Sequence, residues 1–302
     1  MLLAIGVGLA GVSAAVLIGL ALHARPAARL PAYGWWGLAA MAALEAMLAL
    51  RVPGVSRFFT ALIWTAYIVA ADAAAFRLRG DSLLHHRRAF AAVAALSIPA
   101  WTIFELYNLR LHNWEYTGVP GNFWVFALGA AWAFATILPA IFETAAVLYH
   151  SWARALRWPR RAIPAWLSLL AGIATLAAPL LAPRHWAPYL FAPVWIGAAL
   201  LLDPVNRHFG WPSLLADLES GAAGRLVALL ASGAICGFFW EFWNYWAGAR
   251  WVYIFPILHR YRVFAMPAPG FLGFPPFALE CFALYIFLAH VLLPPEWRAR
   301  LW

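Results

Sequence analysis

The chain is a succession of nine apolar stretches separated by short, arginine-bearing loops, and no other feature limits its fold so sharply. The stretches cover roughly 2–22, 33–50, 58–76, 89–107, 126–149, 163–181, 189–202, 226–246 and 271–293, of which the second and seventh are short. A helix needs about 20 apolar residues to cross the hydrocarbon of a bilayer. Composition points the same way: 65% of the 302 residues are hydrophobic and 11% charged, where a soluble domain carries about 25% charged residues. A water-soluble fold of this size has too much surface to hide that apolar content. The expected fold is therefore all-α, a polytopic transmembrane bundle of about nine spans with membrane lipid as its partner.

All 21 basic residues are arginine. They lie in loops between apolar stretches rather than in a basic stripe, which argues against nucleic-acid binding. Nine spans put the chain ends on opposite sides. Arg51, Arg57, Arg110, Arg184, Arg250, Arg260 and Arg262 fall on one side, and the other 14 of the 21 share the side of residue 302. The positive-inside rule then sets the C-terminus in the cytoplasm and the N-terminus outside, in a cell inner membrane. No basic residue precedes the first stretch, so it reads as an uncleaved helix rather than a secretory signal. Cys236 and Cys281 both lie within apolar stretches and suggest neither a disulfide framework nor a zinc site.

The chain also resembles itself. Phe104-Glu105-Leu106-Tyr107-Asn108 matches Trp240-Glu241-Phe242-Trp243-Asn244. Trp114-Glu115-Tyr116 matches Trp251-Val252-Tyr253, and Pro139 with Glu143 matches Pro276 with Glu280. Upstream, Asp72 and the Ser82 segment match Asp203 and the Ser213 segment. Order and spacing agree closely enough to predict two tandem four-helix repeats, over 31–158 and 159–302, with an extra transmembrane helix in 1–30. Four spans per unit bring both copies into the membrane in the same sense, about a pseudo-twofold axis along its normal.

Seven of the 12 acidic residues lie in or at the edge of apolar stretches: Glu45, Asp72, Glu105, Glu143, Asp203, Glu241 and Glu280. A charge at the centre of a membrane helix costs about 2.5–3.5 kcal/mol, so such residues are functional candidates. Glu143 and Glu280 each follow a proline by one turn. Proline withholds a donor and kinks the helix, making a polar spot where a carboxyl group can hold and give a proton. Glu105 with Asn108, and Glu241 with Asn244, lie three residues apart on one helix face. The expectation is one site per repeat: a deep glutamate, a shallower Glu–Asn pair, and a lid of Trp114 and Tyr116 or of Trp251 and Tyr253. The same residues also suit plain packing, since interhelical polar bonds are common glue in membrane bundles. Asp72 and Asp203 are expected to cap helices or neutralise nearby arginines. No nucleotide, haem or metal motif occurs, so the activity is expected to need no cofactor.

The acidic residue, the asparagine, the Trp-x-Tyr pair and the later proline with its glutamate resemble the tandem domain of the membrane-integral lycopene cyclases. That family typically has Trp-Asp-Asn-Tyr and Pro-x-Glu-Glu, whereas here the acid is Glu, Asn follows three residues on, and one glutamate follows the proline. The resemblance spans about 45 residues per repeat and implies an enzyme that protonates a carotenoid-like chain, with Glu105, Glu241, Glu143 and Glu280 as acids and Asn108, Asn244, Trp114, Tyr116, Trp251 and Tyr253 around an apolar small-molecule substrate. A proton-coupled secondary transporter and a non-catalytic membrane scaffold fit the same residues.

Overall fold

Prolines and glycines set where the apolar stretches break into helices. The computed structural model describes residues 2–254, 256–257 and 260–301. In chain order its long helices are α1 (Leu2–His23), α2 (Ala32–Ala49), α3 (Pro53–Arg79), α4 (Arg87–Leu111), α5 (Phe123–Ala135), α6 (Ile137–Ser151), α7 (Ala165–Leu181) and α8 (Phe191–His208). The short α9 (Leu214–Ser220) precedes α10 (Gly224–Trp246) and α11 (Phe274–Leu292). Strand β1 (Trp114–Thr117) follows α4, and β2 (Arg250–Tyr253) follows α10. A second small ribbon, β3 (Arg262–Val263) with β4 (Met266–Pro267), leads into α11.

The protein is an all-α membrane bundle. Six helical stretches among the described residues are long and apolar enough to cross a bilayer: α1, α3, α4, α5 with α6, α10, and Ala268–Leu292, which ends in α11. Helix α7 is apolar but has 17 residues. Large apolar side chains cover the outside, among them Val12 and Leu22 on α1, Trp124 and Leu128 on α5, and Leu170 and Leu181 on α7. Exposed apolar surface on this scale is lipid-facing surface.

The helices pack in two similar sets. Helix α2 lies on α3, which lies on α6; α7 lies on α8, which lies on α11. Across the middle, α10 packs on α6 and α4 on α11. The core there is buried and aromatic, with Trp64, Tyr285, Phe59, Phe142 and Phe282 fully enclosed.

The two prolines act differently from one another. Pro139 sits in the first turn of α6, directly after the break at Thr136 that separates it from α5. The Ser97 hydroxyl on α4 spans this break, donating to the Phe134 carbonyl and accepting from the Leu138 N–H at 3.0 Å. Pro276 lies in the opening turn of α11, where a missing N–H costs nothing. The expected kink is thus present before Glu143, while before Glu280 a helix simply begins.

Asp72 and Asp203 likewise do something more specific than pair with arginines. Asp72 accepts from Ser82 Oγ and the Leu84 N–H, each at 2.8 Å. Asp203 accepts from Ser213 Oγ, Leu214 N and Leu215 N, all at 2.8 Å. Asp203 thus caps the start of α9, one of the two roles expected of it, and Asp72 ties the Ser82–Leu84 turn back onto α3.

Candidate functional site

A helix with an asparagine near its end, followed by a short strand, can fold that strand back over its own last turns, and both α4 and α10 do so. Asn108 Nδ2 donates to the Trp114 carbonyl at 2.8 Å, and its Oδ1 accepts from Asn113 N at 2.8 Å and Trp114 N at 3.2 Å. Asn244 repeats the pattern with Trp251, donating to its carbonyl at 2.9 Å and accepting from its N–H at 3.0 Å. The asparagines fix the strands; their side chains are used up in doing so.

One turn earlier on each helix stands the glutamate. Glu105 Oε1 accepts from Tyr116 OH at 2.5 Å, Trp101 Nε1 at 2.8 Å and Trp114 Nε1 at 3.2 Å. Glu241 Oε1 accepts from Tyr253 OH at 2.7 Å and Trp251 Nε1 at 3.3 Å. Glu241 is fully buried, and its Oε2 has no hydrogen-bond partner among the described residues.

The two clusters meet. Strands β1 and β2 pair antiparallel, with Trp114 opposite Tyr253 and Tyr116 opposite Trp251. Gly118, at φ +69°, permits the ribbon to close against the Gly248 carbonyl, an approach that a Cβ would block. The tryptophan–tyrosine pairs foreseen as two separate lids are therefore one ribbon over one cavity of about 140 Å³. Its walls are Trp101, Trp114, Tyr116, Trp195, Trp240, Trp251, Tyr253, Phe274 and Phe277, with the small Gly129, Ala130 and Ala133 of α5 on one side. The Phe277 ring packs among the wall aromatics, its centroid 5.0 Å from Trp195, 5.2 Å from Phe104 and 5.7 Å from Trp101. Arg57 and Arg250, both exposed, also line the cavity.

The deep glutamates are not brought to this cavity. Glu143 is 2% exposed and lines a second cavity at the other end of the bundle, with Arg79, Ser82, His86 and Arg298. Glu280 is fully buried against α8, where its Oε1 accepts from Ala198 N at 2.7 Å. The structure thus gathers Glu105, Glu241, Trp114, Tyr116, Trp251 and Tyr253 in one place, leaves Asn108 and Asn244 beneath them as supports, and sets Glu143 and Glu280 apart. Trp101, Trp195, Trp240, Phe274 and Phe277 escaped sequence reasoning because aromatic residues are too common here to stand out, with 19 tryptophans and 21 phenylalanines. Trp101 left one trace, its spacing of four residues from Glu105 on one helix face. Glu45 on α2 accepts from Trp243 Nε1 at 2.7 Å.

An aromatic, nearly apolar chamber with carboxyl groups bonded to its wall tyrosines is suited to holding an apolar chain and stabilising positive charge on it, since aromatic faces attract cations. No family model, curated protein or solved structure matches the chain.

Proposed function

We propose that the chain is an intramembrane enzyme that binds a long apolar substrate of the isoprenoid or lipid class in the aromatic cavity and acts on it by carboxyl acid–base chemistry. The observation that carries this reading is the convergence of two carboxyl–tyrosine–tryptophan clusters on a single cavity. The Tyr116 or Tyr253 hydroxyl turns from the carboxyl oxygen it donates to, gives its proton to a substrate double bond, and is reprotonated by Glu105 or Glu241 in its acid form. Tryptophan faces stabilise the carbocation, and loss of a proton to the carboxylate closes the cycle without net consumption. The likeness to lycopene cyclases agrees with this chemistry. Arg57 and Arg250 at the mouth favour a substrate with an anionic end.

The topology that goes with this reading is nine spans, one N-terminal helix and two tandem units over 31–158 and 159–302, with the C-terminus in the cytoplasm of an inner membrane. Its support is the repetition of bonds at Asp72 and Asp203, Asn108 and Asn244, and Glu105 and Glu241. The antiparallel pairing of β1 with β2 suits a twofold axis between the units.

Mass spectrometry of lipid co-purifying in mild detergent tests the function. The wild type is compared with Glu105→Gln/Glu241→Gln and with the cavity-filling Ala133→Trp. One apolar species enriched over bulk lipid in the wild type, chemically altered in the double glutamine variant and lost from Ala133→Trp, is expected. Bulk membrane lipid alone in all three would sink the proposal.

A second reading, a proton-coupled carrier, draws on the presence of cavities at opposite ends of the bundle. Its measure is pH-dependent flux into proteoliposomes; absence of uptake across a broad apolar panel discards it.

A further inference from the structure

The second cavity, of about 280 Å³, is polar where the first is aromatic, and a buried carboxyl group opens onto it. Glu143 Oε1 has no hydrogen-bond partner among the described residues. Ser82, whose hydroxyl donates to Asp72, lines this cavity together with Glu143. Asp72 accepts from Ser82 Oγ, Leu84 N and, at 2.6 Å, Tyr33 OH.

The bonds continue outward. Ser82 Oγ lies 2.7 Å from His85 Nδ1. The serine has a single proton, and it points at Asp72, so the imidazole Nδ1–H is the donor in that contact. His85 is exposed, its ring stacked on Phe76 at 4.4 Å. An unbroken series of hydrogen bonds therefore joins a solvent-exposed imidazole to the buried Asp72, and its middle member Ser82 shares a cavity with Glu143.

The charged surroundings suit a group that gains and loses a proton. Arg79, Arg298 and Arg300 line the cavity and offset the negative charge left when Glu143 is deprotonated. Asp81 and Glu296 line it too; Asp81 is bonded to His86 at 2.9 Å. Behind Glu143, Tyr67 OH is engaged with Thr144 at 2.6 Å.

We propose that Glu143 is a proton-exchange site supplied from this face of the bundle through His85, Ser82 and Asp72. In one transfer the imidazole takes a proton from water at Nε2 as its Nδ1 proton moves to Ser82 Oγ, the serine proton moves to Asp72 Oδ2, and a proton passes from Asp72 across the cavity to a Glu143 that has given its own away. Exchange with water returns the ring proton from Nε2 to Nδ1, and rotation of the serine hydroxyl resets the path. The other half of the molecule lacks this arrangement. At the position aligned with His85 stands Ala216, whose backbone N–H donates to Ser213 Oγ at 3.3 Å. Glu280 turns to the α8 backbone instead. The proposal does not depend on what the aromatic cavity binds.

The test is infrared spectroscopy after a pH jump on the full chain in liposomes, following the protonated-carboxyl band that Glu143→Gln removes. In His85→Ala, a change at an exposed site, the response of that band is expected to slow by at least about tenfold. Ser213→Ala, which cuts the matching bond in the other half, is the control and should leave the rate unchanged. A spectrum that Glu143→Gln does not alter overturns the proposal. So does a His85→Ala response as fast as wild type, or an equal slowing in Ser213→Ala.

Discussion

At one aligned pair of positions the two halves of the molecule solve the same problem in opposite ways. Ser97 on α4 aligns with Gly233 on α10, and Trp101 with Gly237. In the first half, the helix facing them is broken at Thr136, and Ser97 supplies a donor and an acceptor to the loosened backbone. Trp101 adds a third bond to Glu105. In the second half, the facing helix begins at Phe274, and the two glycines let its backbone and ring press directly onto α10; a Cβ at either would collide with Phe274. Close approach through small residues four apart is a recurrent way of joining membrane helices. Two segments of matching sequence thus hold their surroundings differently: polar bridging on one side, bare contact on the other.

Substitutions across that pair should separate the two solutions. Gly233→Val drives a side chain into the Phe274 backbone and should lower stability by about 3 kcal/mol or more, as severe overpacking does. Ser97→Ala leaves the Phe134 carbonyl and the Leu138 N–H without their bridge, at a cost of about 1–3 kcal/mol. Unfolding in graded denaturant micelles measures both, and equal losses would mean that the halves do not differ as described. Glu280→Leu removes the acceptor of the Ala198 N–H and should cost about 1–2 kcal/mol, whereas Glu280→Gln retains an acceptor and should cost clearly less. A Gln variant as unstable as Leu would contradict that role.

At the glutamates themselves, Tyr116→Phe leaves Glu105 with two indole donors, while Tyr253→Phe leaves Glu241 with one. The second change should be the more destabilising, by about 1 kcal/mol; the reverse order in thermal melts would refute the asymmetry. The smallest effect belongs to Asp81, outside the spans. Partial burial pushes its carboxyl up, but the His86 ring bond, the Ser82 N–H and the nearby Arg79 together hold it below the usual range. A value depressed on folding means stability that is present above the ordinary carboxylate range and fades as pH falls through the lowered one. The group is 40% exposed, so the slope should be slight. His86→Ala should flatten this slope in melts taken across the acid range, and an unchanged slope would assign it elsewhere.

Much of this arrangement was legible in the sequence. Apolar runs located the helices, because hydrophobic length is what lipid demands. Glu105, Asn108, Trp114 and Tyr116 stood out through their matching partners, and those residues do cluster. The union of the two clusters was not legible: β1 pairs with β2 across more than a hundred residues, and nothing local in Trp114-Glu115-Tyr116 specifies Trp251-Val252-Tyr253 as its partner. Nor could spacing alone tell that Glu143 opens to a cavity while Glu280 meets a helix backbone. That depends on the neighbouring α3 and α8, where Tyr67 aligns with Ala198.

The central claim, that the seam between the halves is where an apolar substrate sits, is most directly tested by photoaffinity labelling. A diazirine-bearing polyisoprenyl phosphate would be irradiated with the protein in liposomes and the adducts located by peptide mass spectrometry. Adducts concentrated on the cavity walls, at Trp195, Phe277 and Ala133, and abolished in Ala133→Trp are the predicted result. Adducts spread over the lipid-facing surfaces of α1 and α7, unchanged in that variant, would contradict it.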